Sequence, residues 1–147
     1  MDIIAAAFYR FHPLPRFREM QEPLLAALKA LGAKGSVLLA EEGVNGTIAA
    51  AKDKVEKAVA AITEITGVPE LPVKYSPARE MPFKRMKVRL KKEIVTIGNV
   101  PANPNELVGE YVDPADWNAL IADPDVIVLD TRNDYEFRVG TFAKAID

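Results

Sequence analysis

The order of apolar patterns between residues 3 and 75 constrains this chain more than any other feature. Residues 3–11 are apolar and aromatic, too short for a stable helix, and end at His12-Pro13, so they predict a buried strand. Pro13 and Pro15 keep the next connection extended. Leu24, Leu25, Leu28 and Leu31 then recur at the three- and four-residue spacing of one helix face. Pro23 suits the first turn of that helix, where a missing N–H is harmless, and Gly32 suits its end. Residues 36–40 and 45–50 predict two strands separated by Glu41, Glu42, Gly43 and Val44, an interval that favours an antiparallel hairpin with positive φ at Gly43. A second helix is predicted over 52–66, with Val55, Val59, Ile62 and Ile65 as its stripe and Ala58 in the gap. Gly67 stops it, Pro69 prevents its continuation, and 71–75 form a fourth strand.

The resulting β-α-β-β-α-β order is the split βαβ, ferredoxin-like arrangement, in which one antiparallel sheet carries two helices on one face. The opposite face is left open as a docking surface, although the fold alone does not say for what. With 49% hydrophobic and 27% charged residues, the 147-residue chain has the composition of a globular protein and room for one medium domain or two small ones. Its longest apolar run, 3–9, is too short to span a bilayer and lacks the basic region of a signal peptide, so no membrane segment is expected. No Cys is present, which excludes a disulfide scaffold, a thiolate zinc site and a cysteine nucleophile within these residues. The single His12 excludes a His-rich metal site and argues against a Ser-His-Asp triad; no metal and no cofactor are expected.

Charge is segregated. The net charge is −2, but residues 74–92 carry +7, leaving −9 on the rest. Such a run can present a positive face to phosphates, or it can be a solvated edge strand protected from aggregation by its lysines. As a strand, it places Arg85, Lys87, Arg89 and Lys91 on one face and Met86, Val88 and Leu90 on the other, with cations ~7 Å apart. With Lys84 and Lys92, these are the candidate RNA-binding residues. Residues 86–97 predict an extended pair bending near 91–93, and the Gly, Pro and Asn of 98–105 predict a linker. Phe8, Tyr9 and Phe11 could stack bases, with core packing the stronger expectation for Phe8 and at least one of the other two. Glu41, Glu42 and Asn45 fit a tight turn, or else a domain interface.

Beyond the linker the pattern changes. Asp113-Pro114-Ala115-Asp116 predicts a helix start with Asp113 as N-cap, and Trp117, Leu120 and Ile121 give that helix an apolar side. Residues 126–129 predict a buried strand ending at Asp130, and 134–139 a helical turn closed by Gly140. This is the opening of a parallel α/β unit, too short to cover both faces of its sheet. Asp130 and Arg132, at the carboxyl end of the predicted strand, either support an active-site loop or form a local ion pair with Glu136.

Two stretches go beyond pattern. The run Val128-Leu129-Asp130-Thr131-Arg132-Asn133-Asp134-Tyr135-Glu136-Phe137-Arg138-Val139-Gly140 resembles the first signature of rhodanese domains, with Thr141 where a His is usual. Leu38-Leu39-Ala40-Glu41-Glu42-Gly43-Val44-Asn45-Gly46-Thr47-Ile48, followed by Lys84-Arg85-Met86-Lys87-Val88-Arg89, resembles the N-terminal half of the rhodanese-related tRNA uridine hydroxylases. The resemblance continues through Val108-Gly109-Glu110-Tyr111-Val112 and Trp117-Asn118. It implies an α+β chain with an acylphosphatase-like, ferredoxin-like domain over 1–78, a basic strand pair and linker over 79–112, and the incomplete start of a rhodanese domain over 113–147. It also implies a cytoplasmic protein that hydroxylates the wobble uridine of tRNA, with tRNA as partner of these residues. A rhodanese-type sulfurtransferase and a non-catalytic RNA-binding module are the alternatives. The family's catalytic cysteine would lie beyond Asp147, so the chain is expected to be part of a longer protein and inactive alone. Acylphosphatase chemistry needs a phosphate cradle after the first strand, and in 10–16 the prolines remove N–H donors from it.

Overall fold

The computed structural model describes residues 2–92 and 109–147. The chain divides into two compact units, Met1–Val108 and Gly109–Asp147. In the first, the order is β1 (Ile3–Phe11), α1 (Phe17–Ala30), β2 (Lys34–Ala40), β3 (Gly43–Ala51), α2 (Lys52–Thr66), β4 (Val73–Ala78) and β5 (Met86–Leu90). The sheet order is β4-β1-β3-β2-β5, antiparallel except for the parallel β2–β5 pair. The first four strands, ordered β4-β1-β3-β2, thus have the ferredoxin-like arrangement expected from the sequence. The basic strand, read there as a segment following the domain, is the fifth strand of the same sheet. The second strand of the expected basic pair and the linker over 98–105 lie outside the described residues.

Alternation along the strands separates the two faces. Ala6 and Phe8 of β1, Val37 and Leu39 of β2, Val44 and Ile48 of β3, and Met86 and Val88 of β5 are buried with Leu24 and Leu28 of α1 and Val55, Ala58 and Ile62 of α2. Both helices therefore cover one face. Each fully buried Leu or Ile contributes about 1.5–3 kcal/mol through removal from water.

The α2 stripe is rotated slightly from the expected one: Thr66 is buried, while Val59 and Ile65 are partly exposed. The Thr66 hydroxyl donates to the Ile62 carbonyl at 2.7 Å, which satisfies it inside the core. Gly67, at φ +70°, ends the helix as expected.

Three local expectations are corrected. Helix α1 begins at Phe17, so Pro23 lies in its interior rather than its first turn. Buried Phe17 and partly buried Met20 extend the apolar stripe backwards, and that packing outweighs the one backbone bond a proline removes. The β2–β3 turn consists of Glu41 and Glu42 alone, because Gly43 already pairs with Ala40. Gly43 has φ +152°, and a Cβ there would stand 2.1 Å from the Arg10 carbonyl oxygen. Asn45 is accordingly a strand residue, as the predicted 45–50 strand has it, and the tight-turn reading of it does not hold. Strands β4 and β5 occupy opposite edges of the sheet and are joined by residues 79–85.

The second unit contains α3 (Trp117–Ala122) and α4 (Asp134–Val139). Asp113 does not cap α3. Its carboxylate accepts from the Ala115 N–H (2.9 Å) in a turn that precedes the helix, and Asp116 takes the capping position. The strand expected over 126–129 does not form. One parallel bridge joins Leu129 to Ile146, and Ile127 and Leu129 are 73% and 66% exposed. An apolar run becomes a buried strand only beside partner strands, and among the described residues of this unit there is no sheet to supply them. Trp117 packs on Phe142, with ring centroids 5.2 Å apart.

Candidate nucleic-acid interface

The sheet face opposite the helices is built by strand register. Strand β5 is held by β2 on one side and by α1 beneath, where Gln21 Nε2 donates to the Val88 carbonyl at 2.9 Å. Burial of Met86 and Val88 on the helix side turns Lys87 and Arg89 to the open side. Arg89 stands opposite Leu38, Leu38 opposite Asn45, and Asn45 opposite Tyr9. Lys87, Ser36, Thr47, Ala7 and Lys74 form the adjacent row. Each row runs across the strands, with cations at the β5 end and Tyr9 or Lys74 at the other.

The remaining predicted cations flank β5. Lys84 and Arg85 are exposed just before it, and the Arg85 carbonyl accepts from the Gly35 N–H at 3.1 Å. Lys91 and Lys92 are exposed just after it, and the Lys91 N–H donates to the Leu39 carbonyl at 2.9 Å, continuing the parallel ladder. Among the described residues the ion pairs are Arg16–Glu19, Arg132–Asp130 and Arg138–Asp134; none engages a cation of 84–92.

The three aromatics of β1 separate by alternation. Phe8 is buried in the core, as expected, whereas Tyr9 is 46% exposed and meets Phe11 edge-on at 6.2 Å. Tyr9, Asn45, Thr47, Ala7 and Lys74 line a groove of about 460 Å³ on this face. Sequence reasoning named Tyr9 and Asn45 separately. Only the β1–β3 register, which is not visible in either strand alone, puts them side by side.

The loop after β1 has a different role. The N–H groups of His12 and Leu14 donate to the Glu42 and Glu41 carbonyls at 2.9 and 2.7 Å, and Pro13 and Pro15 have none to offer. These bonds hold the loop against the β2–β3 turn.

In the second unit, Asp130 and Arg132 do come together. Arg132 Nε and Nη2 donate to the two carboxylate oxygens at 2.8 and 2.6 Å, and Nη2 also reaches the Gly140 carbonyl at 2.7 Å. Thr141 Oγ1 donates to Asp130 Oδ2 at 2.7 Å, and the Arg132 N–H to Oδ1 at 3.2 Å. The Asp130 side chain is only 6% exposed. Hydrogen bonds from Arg132 and then from Thr141 hold its carboxyl well below the usual carboxylate range. A carboxylate so engaged does not take up a proton near neutral pH, so its contribution is to geometry. Glu136 is not the ion-pair partner anticipated. It accepts from the Asn133 backbone N–H and side-chain amide at 3.2 and 2.7 Å, closing the first turn of α4.

Among the described residues no helix is long and apolar enough to cross a membrane, and no three His, Cys, Asp or Glu side chains cluster as metal ligands.

Comparison with known proteins gives three findings. Residues 3–94 match the family described as the UPF0176 acylphosphatase like domain. The whole chain is 55% identical to the tRNA uridine(34) hydroxylase of Brucella ovis and 54% identical to that of Brucella abortus, and in each case covers 48% of the relative's length. The chain thus spans about half the length of the curated relatives it matches. An acylphosphatase from Coxiella burnetii superposes with a TM-score of 0.41 at 14% identity, over 60% of this chain and 92% of the other.

Proposed function

The chain belongs to the family of the UPF0176 acylphosphatase-like domain, and from that premise we propose that it is the tRNA-docking half of a tRNA uridine hydroxylase. The observation that carries this reading is the alternation on β5. Lys87 and Arg89, flanked by Arg85 and Lys91, stand on the open side of the sheet while Met86 and Val88 are locked into the core. Cations fixed on a rigid strand follow a phosphate backbone and release its counterions, which supplies affinity without reading sequence. Lys84 and Lys92 extend the same strip.

On this reading residues 113–147 are the opening of a rhodanese domain, whose cysteine is supplied by residues outside these 147. Asp130 and Arg132 then act as positioning residues that hold the turn beneath the active-site loop. The bidentate Arg132–Asp130 pair and its tie to Gly140 support that role. The protein works where tRNA is held, in the cytoplasm.

The test is tRNA binding by the chain between 50 and 200 mM salt. Replacing Arg85, Lys87 and Arg89 together with Ala should weaken binding and reduce the slope of log K against log salt by about 2–3. An unchanged slope overturns the docking role. For the complete polypeptide, nucleoside mass spectrometry of treated tRNA separates an added oxygen, as expected, from an added sulfur, which would assign a sulfurtransferase instead.

A further inference from the structure

At the end of the sheet face away from the cation strip lies the groove of about 460 Å³ between β1, β3 and β4. Its volume is that of a site for one small ligand. Its lining combines an aromatic ring (Tyr9), a carboxamide (Asn45), a hydroxyl (Thr47) and an ammonium (Lys74). Phosphate alone needs no aromatic ring, and an apolar ligand needs no amide or ammonium. A nucleotide uses all of them: a flat π-face to stack, a base edge to exchange hydrogen bonds, and a phosphate to neutralise. Tyr9 is joined to Arg89 by a single row of cross-strand neighbours, so a backbone tracking β5 continues across the sheet to the groove.

We infer that this groove receives one unpaired nucleotide of the docked RNA, with its base against Tyr9, its edge on Asn45 and a phosphate on Lys74. A base in a duplex is stacked between its neighbours and offers no free face to Tyr9, so the site selects a single-stranded segment over a helix. The inference rests on the docking reading and adds to it the class of RNA recognised.

The experiment uses the chain with a fluorescent eight-nucleotide single-stranded RNA and with the same sequence as a blunt duplex. Tyr9→Leu should lower affinity for the single strand about tenfold, with its salt slope unchanged, and leave duplex binding as it was. Tyr9→Phe keeps the ring and should keep the affinity. Because Tyr9 lies in a central strand, melting by circular dichroism checks each variant. Asn45→Ser provides the same comparison without touching the ring and should cost the single strand severalfold. If Tyr9→Leu and Asn45→Ser bind the single strand like the parent while the Arg85, Lys87 and Arg89 variant binds weakly, the groove is overturned and docking stands. Equal losses on single strand and duplex also overturn the groove. If the cation variant too binds like the parent, the docking reading fails along with it.

Discussion

Asp130 has all of its carboxylate lone pairs engaged: two bonds from the Arg132 side chain, one from the Arg132 N–H and one from Thr141. Its pKa is therefore lower in the folded chain than the roughly 3.9 of an unfolded aspartate. A depressed carboxylate stabilises the fold above that unfolded value, and the contribution disappears as pH falls through the folded one. Fluorescence of Trp117, the only tryptophan, which packs on Phe142 in the same unit, should accordingly report acid unfolding that sets in below about pH 4. Asp130→Asn should remove that acid dependence and loosen the unit at neutral pH; superimposable acid titrations of parent and variant would contradict the assignment. The sequence singled out Asp130 and Arg132 together, but their mutual pairing came only from the structure. Sequence reasoning misassigned Glu136, because a glutamate three residues after Asn133 is drawn to the helix start before it can reach the arginine.

Among elements, α1 carries the clearest conflict between local and tertiary preference. Pro23 cannot donate to the Glu19 carbonyl, yet it sits exposed in the middle of a 14-residue helix held by buried Phe17, Leu24 and Leu28. Pro23→Ala restores that bond without touching the core and should stabilise the chain by about 1–3 kcal/mol, read as a higher melting temperature. A fall in melting temperature would mean that the fixed backbone of the proline is itself needed for packing. Helix α2 had no such conflict, which is why its limits could be read directly from Val55, Ile62 and Gly67. Strand β5 was legible in its alternation but not in its partner, since nothing local to residues 86–90 specifies β2. The apolar run 126–129 misled for the converse reason: a buried strand is a property of its neighbours as much as of itself.

At the scale of the molecule, the fold of the first unit was written in the order of its patterns, whereas the candidate interface was not. Tyr9, Asn45, Leu38 and Arg89 become neighbours only through three separate strand registers. The second unit exposes Ile127, Leu129, Val139, Phe142 and Ile146, and the curated relatives are about twice the chain's length. The chain alone should therefore bind a hydrophobic dye such as ANS, and a polypeptide extended to the relatives' length should bind far less. Equal dye binding by the two would show that the added residues leave this surface uncovered. Residues 79–85 must bridge four interstrand gaps, roughly 19 Å, with a fully extended reach of roughly 26–29 Å. This tether has little slack: trimming it by about three residues leaves it shorter than its span and strips the positive strand from the sheet, whereas lengthening it costs almost nothing.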